Sequence, residues 1–128
     1  MEAIALIELI ERGEDSRTQF KQSQDVTNAQ SLAGELAAFS NSNGGRILIG
    51  VSDQGTVTGV SQADVRRLNE LLSNTATNNV RPAINPETEN VPVGDKLVIV
   101  VTVREGISKP YADNSGVLWV KSGADKRR

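Results

Sequence analysis

The segment Phe39-Ser40-Asn41-Ser42-Asn43-Gly44-Gly45-Arg46-Ile47-Leu48-Ile49-Gly50-Val51 constrains the fold more than any other part of the chain. Ahead of it, Ala29, Leu32, Ala33, Leu36, Ala37 and Phe39 gather on one side of a helix. Thr27 and Gln30 have capping-box spacing: the Thr hydroxyl accepts from the Gln30 amide while Gln30 reaches back. The pattern predicts a helix of about four turns, ended by Asn41 to Gly45, with Gly44 as its left-handed cap. Arg46 to Val51 is an apolar run and reads as a buried strand, with Gly50 marking a bulge or a close approach of the long helix. An Ala-rich stripe beside such a strand suits tight helix-on-sheet packing.

Weaker signals flank this centre. Ile4, Leu6, Ile7, Leu9 and Ile10 predict a short amphipathic helix over 2–11, ended near Gly13. Thr18 to Lys21 alternates and reads as a strand. Asp53-Gln54-Gly55 is turn chemistry, and Thr56 to Val60 is expected to return as a strand. Ser61 with Asp64 caps another helix, with Val65, Leu68, Leu71 and Leu72 inward, that should have ended before the polar stretch Asn74 to Arg81. A hairpin follows: Ile84 to Val91, a turn at Gly94-Asp95, then Leu97 to Val103. Lys109-Pro110-Tyr111 reads as extended, and Val117 to Val120 as a last strand. The order is α-β-α-β-β-α-β-β-β, an α+β domain whose mixed, largely antiparallel sheet packs with about three helices. The 128 residues suit one domain. Lys121 to Arg128 carries no closing element, so the chain reads as the N-terminal fragment of something longer.

The chain holds neither Cys nor His. Disulfides, thiolate or imidazole metal ligands and a Ser-His-Asp triad are therefore excluded. Chemistry must come from carboxylates, Lys, Arg, Ser or backbone. No run of 18 apolar residues occurs, and residues 1–12 lack a signal-peptide pattern, so the expectation is a cytoplasmic protein without a membrane partner. Net charge is −2, unevenly placed. Residues 1–60 hold eight acids and four bases, and residues 61–128 hold eight acids and ten bases. A basic strip on a weakly acidic body remains effective, because a groove answers to charges within about one Debye length, ~8–10 Å.

Three segments share an order: Gly13-Glu14 with Gln19-Phe20-Lys21, the central Phe39 to Gly55 run, and Lys109-Pro110-Tyr111 with Trp119-Val120-Lys121-Ser122-Gly123. Together they resemble the Schlafen AlbA-type DNA-binding domains of bacterial regulators, once described as divergent ATPases. The resemblance spans residues 10–125. It implies a nucleic-acid-associated module, usually at the N-terminus of a longer protein with a winged-helix-like region behind it. It further implies that some relatives, the animal Schlafen proteins, cleave RNA with three carboxylates, matching Glu14, the position of Gln19, and Asp53.

Metal-assisted cleavage needs two or three hard oxygen ligands, and the neutral Gln19 amide is a poor one. The chain is therefore expected not to be an enzyme, with Glu14 and Asp53 as remnants of a degenerate site and no metal or cofactor. Gly44-Gly45 precedes a strand and no phosphate-loop motif exists, so no nucleotide is expected. The expected nucleic-acid contacts are Lys21, Arg46, Lys109, Lys121 and Lys126, joined by Arg127 and Arg128, with Tyr111 available to stack on a base. Trp119 reads as core. The leading expectation is the DNA-binding part of a bacterial transcription regulator, with RNA as a second possible polymer and a homodimer doubling its phosphate contacts. The alternatives are a protein-interaction or assembly module and a degenerate metal-dependent ribonuclease.

Overall fold

The computed structural model describes residues 1–128. Helix α1 spans Ala3–Glu11, strand β1 Thr18–Lys21, helix α2 Ala29–Asn41 and strand β2 Gly45–Ile49. Helix α3 spans Gln62–Asn78, followed by β3 Val80–Arg81, β4 Glu87–Val93, β5 Lys96–Val103, β6 Ala112–Asp113, β7 Val120–Ser122 and β8 Asp125–Arg127. A single 3-10 turn, Ser23–Asp25, links β1 to α2. The α+β class and the largely antiparallel pairing are as the sequence predicts. The main sheet runs β1-β2-β5-β4, with only β1 and β2 parallel, joined through α2.

Both faces of the sheet are covered, which is why β2 and β5 read as unbroken apolar runs. Ile47, Ile49, Ile99, Val101 and Val103 pack against α2 and α3. The alternate residues Leu48, Val98 and Val100 pack with Phe20, Val91 and the α1 residues Leu6 and Ile10. That alternation decides where every charged strand residue points. Edge strand β4 carries Pro92 and the exposed Glu87 and Glu89, features that discourage edge-to-edge association.

Several elements differ from expectation for local reasons. The α2 cap is Asn28, whose side chain accepts from the Ser31 N–H at 2.9 Å; Thr27 lies one residue outside. Helix α3 does cap at Ser61 but continues to Asn78, because Thr75 and Ala76 extend the buried stripe of Leu68 and Leu72. Thr56 to Val60 forms only a single bridge, Val51 to Val57. Strand β4 starts at Glu87, since Ile84 instead donates its N–H to Ala76 at the end of α3. Gly50 marks a bulge: its N–H and that of Val51 both reach the Lys21 carbonyl, and its neighbours are Gly59 and Leu97 rather than a helix. Lys109–Pro110 is a cis peptide, and no strand forms there. Leu118 makes a lone bridge to Ala112, and the final strand pair is β7–β8, turning at Gly123-Ala124. No helix is long and apolar enough to cross a membrane.

Candidate nucleic-acid interface

The end of α2 fastens the C-terminal third of the chain. Asn41 donates through Nδ2 to the carbonyls of Tyr111 and Trp119, each at 2.8 Å, and accepts the Tyr111 N–H at 2.7 Å. Ser42 Oγ accepts the Lys121 N–H at 3.0 Å. Gly44 donates back to the Phe39 carbonyl at 2.9 Å with φ +73°, the left-handed cap expected of it. A Cβ there would sit 2.7 Å from the Val103 carbonyl oxygen. The polar run after Phe39 therefore does more than stop a helix. It holds the strand-bearing tail in place through side chains.

That tail lies along α2. A Cβ on Gly34 would sit 3.0 Å from Lys126 Cε and 3.2 Å from Trp119 Nε1, so the glycine lets the β7–β8 hairpin sit close. Lys121 and Lys126 face each other across the hairpin, a like-charged pair that alone is unfavourable. Glu35, nearly buried in the middle of α2, resolves this. Its Oε1 lies 3.6 Å from Lys126 Nζ and 3.7 Å from Lys21 Nζ, and its Oε2 lies 3.9 Å from Lys121 Nζ. Oε2 has no hydrogen-bond partner, so attraction to three ammonium groups holds this carboxylate. Strand alternation supplies the rest: Gln19 and Lys21 share the α2 side of β1, while Thr18 and Phe20 take the other.

Lys121 is the buried member, its side chain 1% exposed. Its ammonium donates to Gln19 Oε1 at 3.0 Å and the Ala124 carbonyl at 2.8 Å, and stands over the Phe39 ring. Burial pushes its pKa down; the charges of Glu35, Glu14 and Asp125 oppose that shift, and Lys21 adds to it. Lys21 and Lys126 keep about a quarter of their side chains in solvent. Trp119 is half-buried, with Lys126 4.9 Å and Arg128 5.5 Å from its ring centre. Lys21, Lys121, Lys126 and Arg128 gather where β1, α2 and the hairpin meet; Glu14, Glu35 and Asp125 act on the lysines and Asp113 on Arg128, so the charges balance, and what the surface offers a polyanion is the cations that reach solvent.

Asp113 anchors the tryptophan. Its carboxylate accepts from Trp119 Nε1 at 2.9 Å, Gln30 Nε2 at 3.3 Å, and the N–H groups of Ser115 and Val117. Burial raises its pKa, but these bonds from Trp119, Val117 and Ser115, with the Arg128 charge, outweigh it and leave the pKa below the usual 3.8. A depressed carboxylate pKa stabilises the fold above its unfolded value, and that contribution fades as pH falls through the native value. Urea midpoints should therefore drop steeply below about pH 3.8, and Asp113→Asn should flatten that drop. An unchanged slope would assign the acid sensitivity elsewhere. Trp119, the chain's sole tryptophan, reports the transition by fluorescence.

Of the residues expected to contact nucleic acid, the structure brings Lys21, Lys121 and Lys126 together. Arg46 shares its side of β2 with Leu48 and lines a cleft with Leu9 on the α1 face, so it points away from the lysines. Lys109 sits in the β5–β6 loop, paired with Glu105 at 2.6 Å. Tyr111 is 5% exposed, with its ring in the core and its hydroxyl accepting from the Ser108 N–H, so it offers no face for base stacking. Arg127 is exposed on β8. Sequence reasoning passed over Glu35, although it follows Leu32 by three and precedes Phe39 by four, on the inward face.

The nuclease constellation does not fit a divalent cation. Gln19 Oε1 is occupied by the Lys121 ammonium, and Glu14 Oε1 accepts the Phe20 N–H at 3.0 Å. Asp53 is exposed in the turn between Val51 and Val57, and no group of three or more acidic residues is arranged to hold a metal.

The family described as Schlafen, AlbA_2 matches residues 14–128. None of the curated proteins matches this chain. Among solved structures, a Corynebacterium diphtheriae protein is similar in fold, with a TM-score of 0.67 and 22% identity over 98% of this chain. This chain spans only 29% of that protein's length. The N-terminal domain of a Nitrosomonas europaea protein, described as related to the ATP-dependent DNA helicase RecG, is similar with a TM-score of 0.70 and 26% identity. The match covers 100% of this chain and 89% of that domain.

Proposed function

Because the chain belongs to the Schlafen AlbA_2 family, we propose that it is a nucleic-acid-binding module, the DNA-contacting part of a bacterial, cytoplasmic transcription regulator. One observation carries this reading: Lys21 and Lys126 approach a single Glu35 oxygen, beside Arg128 on the face of Trp119. Three accessible cations on one surface suit contact with the phosphates of a strand, and such contacts release counterions. Lys121 serves from behind, fixing the hairpin that presents Lys126 and Arg128. Phosphate contacts of this kind position a polymer without reading its sequence. The resemblance to a domain from a protein described as related to a DNA helicase points to the same polymer. A homodimer would double the contacts made by so small a cationic face.

We further propose that the module holds nucleic acid without cutting it. A neutral amide already bonded to an ammonium supplies no metal ligand at Gln19.

The test is fluorescence anisotropy with labelled DNA and RNA, single- and double-stranded, at about 50 mM salt, where phosphate contacts are strong. Binding to DNA is expected. Failure to bind any of these polymers would refute the reading and leave a protein-interaction module in its place.

A further inference from the structure

On the opposite face of the sheet, a cleft of about 330 Å³ lies between the end of α1 and strands β1, β2 and β5. Arg12, Arg17 and Arg46 line it, with Asp15, Asn43 and Thr102. None of the three arginines takes part in an ion pair. Arg46 Nε is buried and meets no hydrogen-bond partner. The rest of the Arg46 side chain is half-buried, so its guanidinium reaches the cleft with one buried donor still to be satisfied. Asp15 offsets one of the three charges, and its Oδ1 is engaged by the backbone N–H of Arg17 at 2.8 Å.

We infer that this cleft is a site for a phosphomonoester-type dianion. Three guanidinium charges against one carboxylate leave the cleft at plus two, which a dianion balances and a singly charged diester does not. Arginine forks suit a group presenting several free oxygens, and Asn43 and Thr102 add neutral donors. The dianion is either free phosphate or the terminal phosphate of a nucleic-acid strand. The cleft lies on the sheet face away from Glu35 and its lysines, so this inference stands apart from the proposed function, and the two fail separately.

Inorganic phosphate is the probe, titrated against the whole chain at roughly pH 8, above its second ionisation. Thermal unfolding is compared with chloride at equal ionic strength. Phosphate should raise the melting temperature beyond chloride saturably and at concentrations too low for its general salting effect, and Arg46→Gln should weaken its affinity roughly tenfold or more. Arg12→Gln, at an exposed helix end, should weaken it too and keeps the test valid if Arg46→Gln misfolds. No stabilisation beyond chloride, or affinity unchanged in Arg12→Gln, would overturn the inference. A 5′-phosphorylated oligonucleotide that displaces phosphate identifies a strand end as the source, and one that does not identifies free phosphate. A 5′-hydroxyl strand displacing phosphate equally well would overturn the dianion assignment.

Discussion

Glu35→Gln should destabilise the protein by about 3 kcal/mol, the low end of the range for breaking a buried ion pair. The low end is appropriate because Lys21 and Lys126 are a quarter exposed and water screens part of their loss. Lys121 has no such relief. Its 1%-exposed side chain would keep a charge facing Lys21 and Lys126 with the central anion removed. Adding Lys121→Met should recover much of the loss, and a double-mutant cycle by urea unfolding reads the coupling. A cost below about 0.5 kcal/mol, the level of an ordinary surface change, would show that the carboxylate does not organise the cluster.

Asn41→Ala is the second large effect. It removes three hydrogen bonds at once and leaves two carbonyls and the Tyr111 N–H without partners. At about 1 kcal/mol each, the expected loss is about 3 kcal/mol. Trp119 emission should shift to the red, because the carbonyl released is its own and the hairpin follows it. Asn41→Asp should fare no better, since a carboxylate oxygen would face two carbonyl oxygens. A loss under about 1 kcal/mol with unchanged emission would mean that the tail is held by other contacts.

These two residues show where sequence reading works and where it stops. Helix α2 and strand β2 were legible because periodicity and a glycine stop are local signals. The β4–β5 hairpin was legible through its Gly94-Asp95 turn. The β7–β8 hairpin was not. Asp125, Lys126 and Arg127 have poor strand propensity, and their pairing is stabilised by docking on α2. Glu35 escaped notice because one acid in an Ala/Leu stripe leaves the helical pattern intact. The sequence does not separate Arg46 from Lys21, because both β2 faces are apolar. Only the packed sheet reveals which side Ile47 and Leu48 take, and Arg46 follows Leu48. Asn41 read as a helix stop because its three bonds reach residues 70 and 78 positions away.

Folding gathers Lys21, Lys126 and Arg128 onto one surface, where their solvent-facing charges act on a polyanion despite the chain's net charge of −2. The salt dependence of DNA binding measures this directly. Three phosphate contacts per protomer predict that log affinity falls against log salt with a slope of about −2.7 per protomer bound, and Arg128→Gln should flatten it by about 0.9 per protomer. A slope near zero, or one that Lys21→Gln, Lys126→Gln and Arg128→Gln all leave unchanged, would contradict the claim.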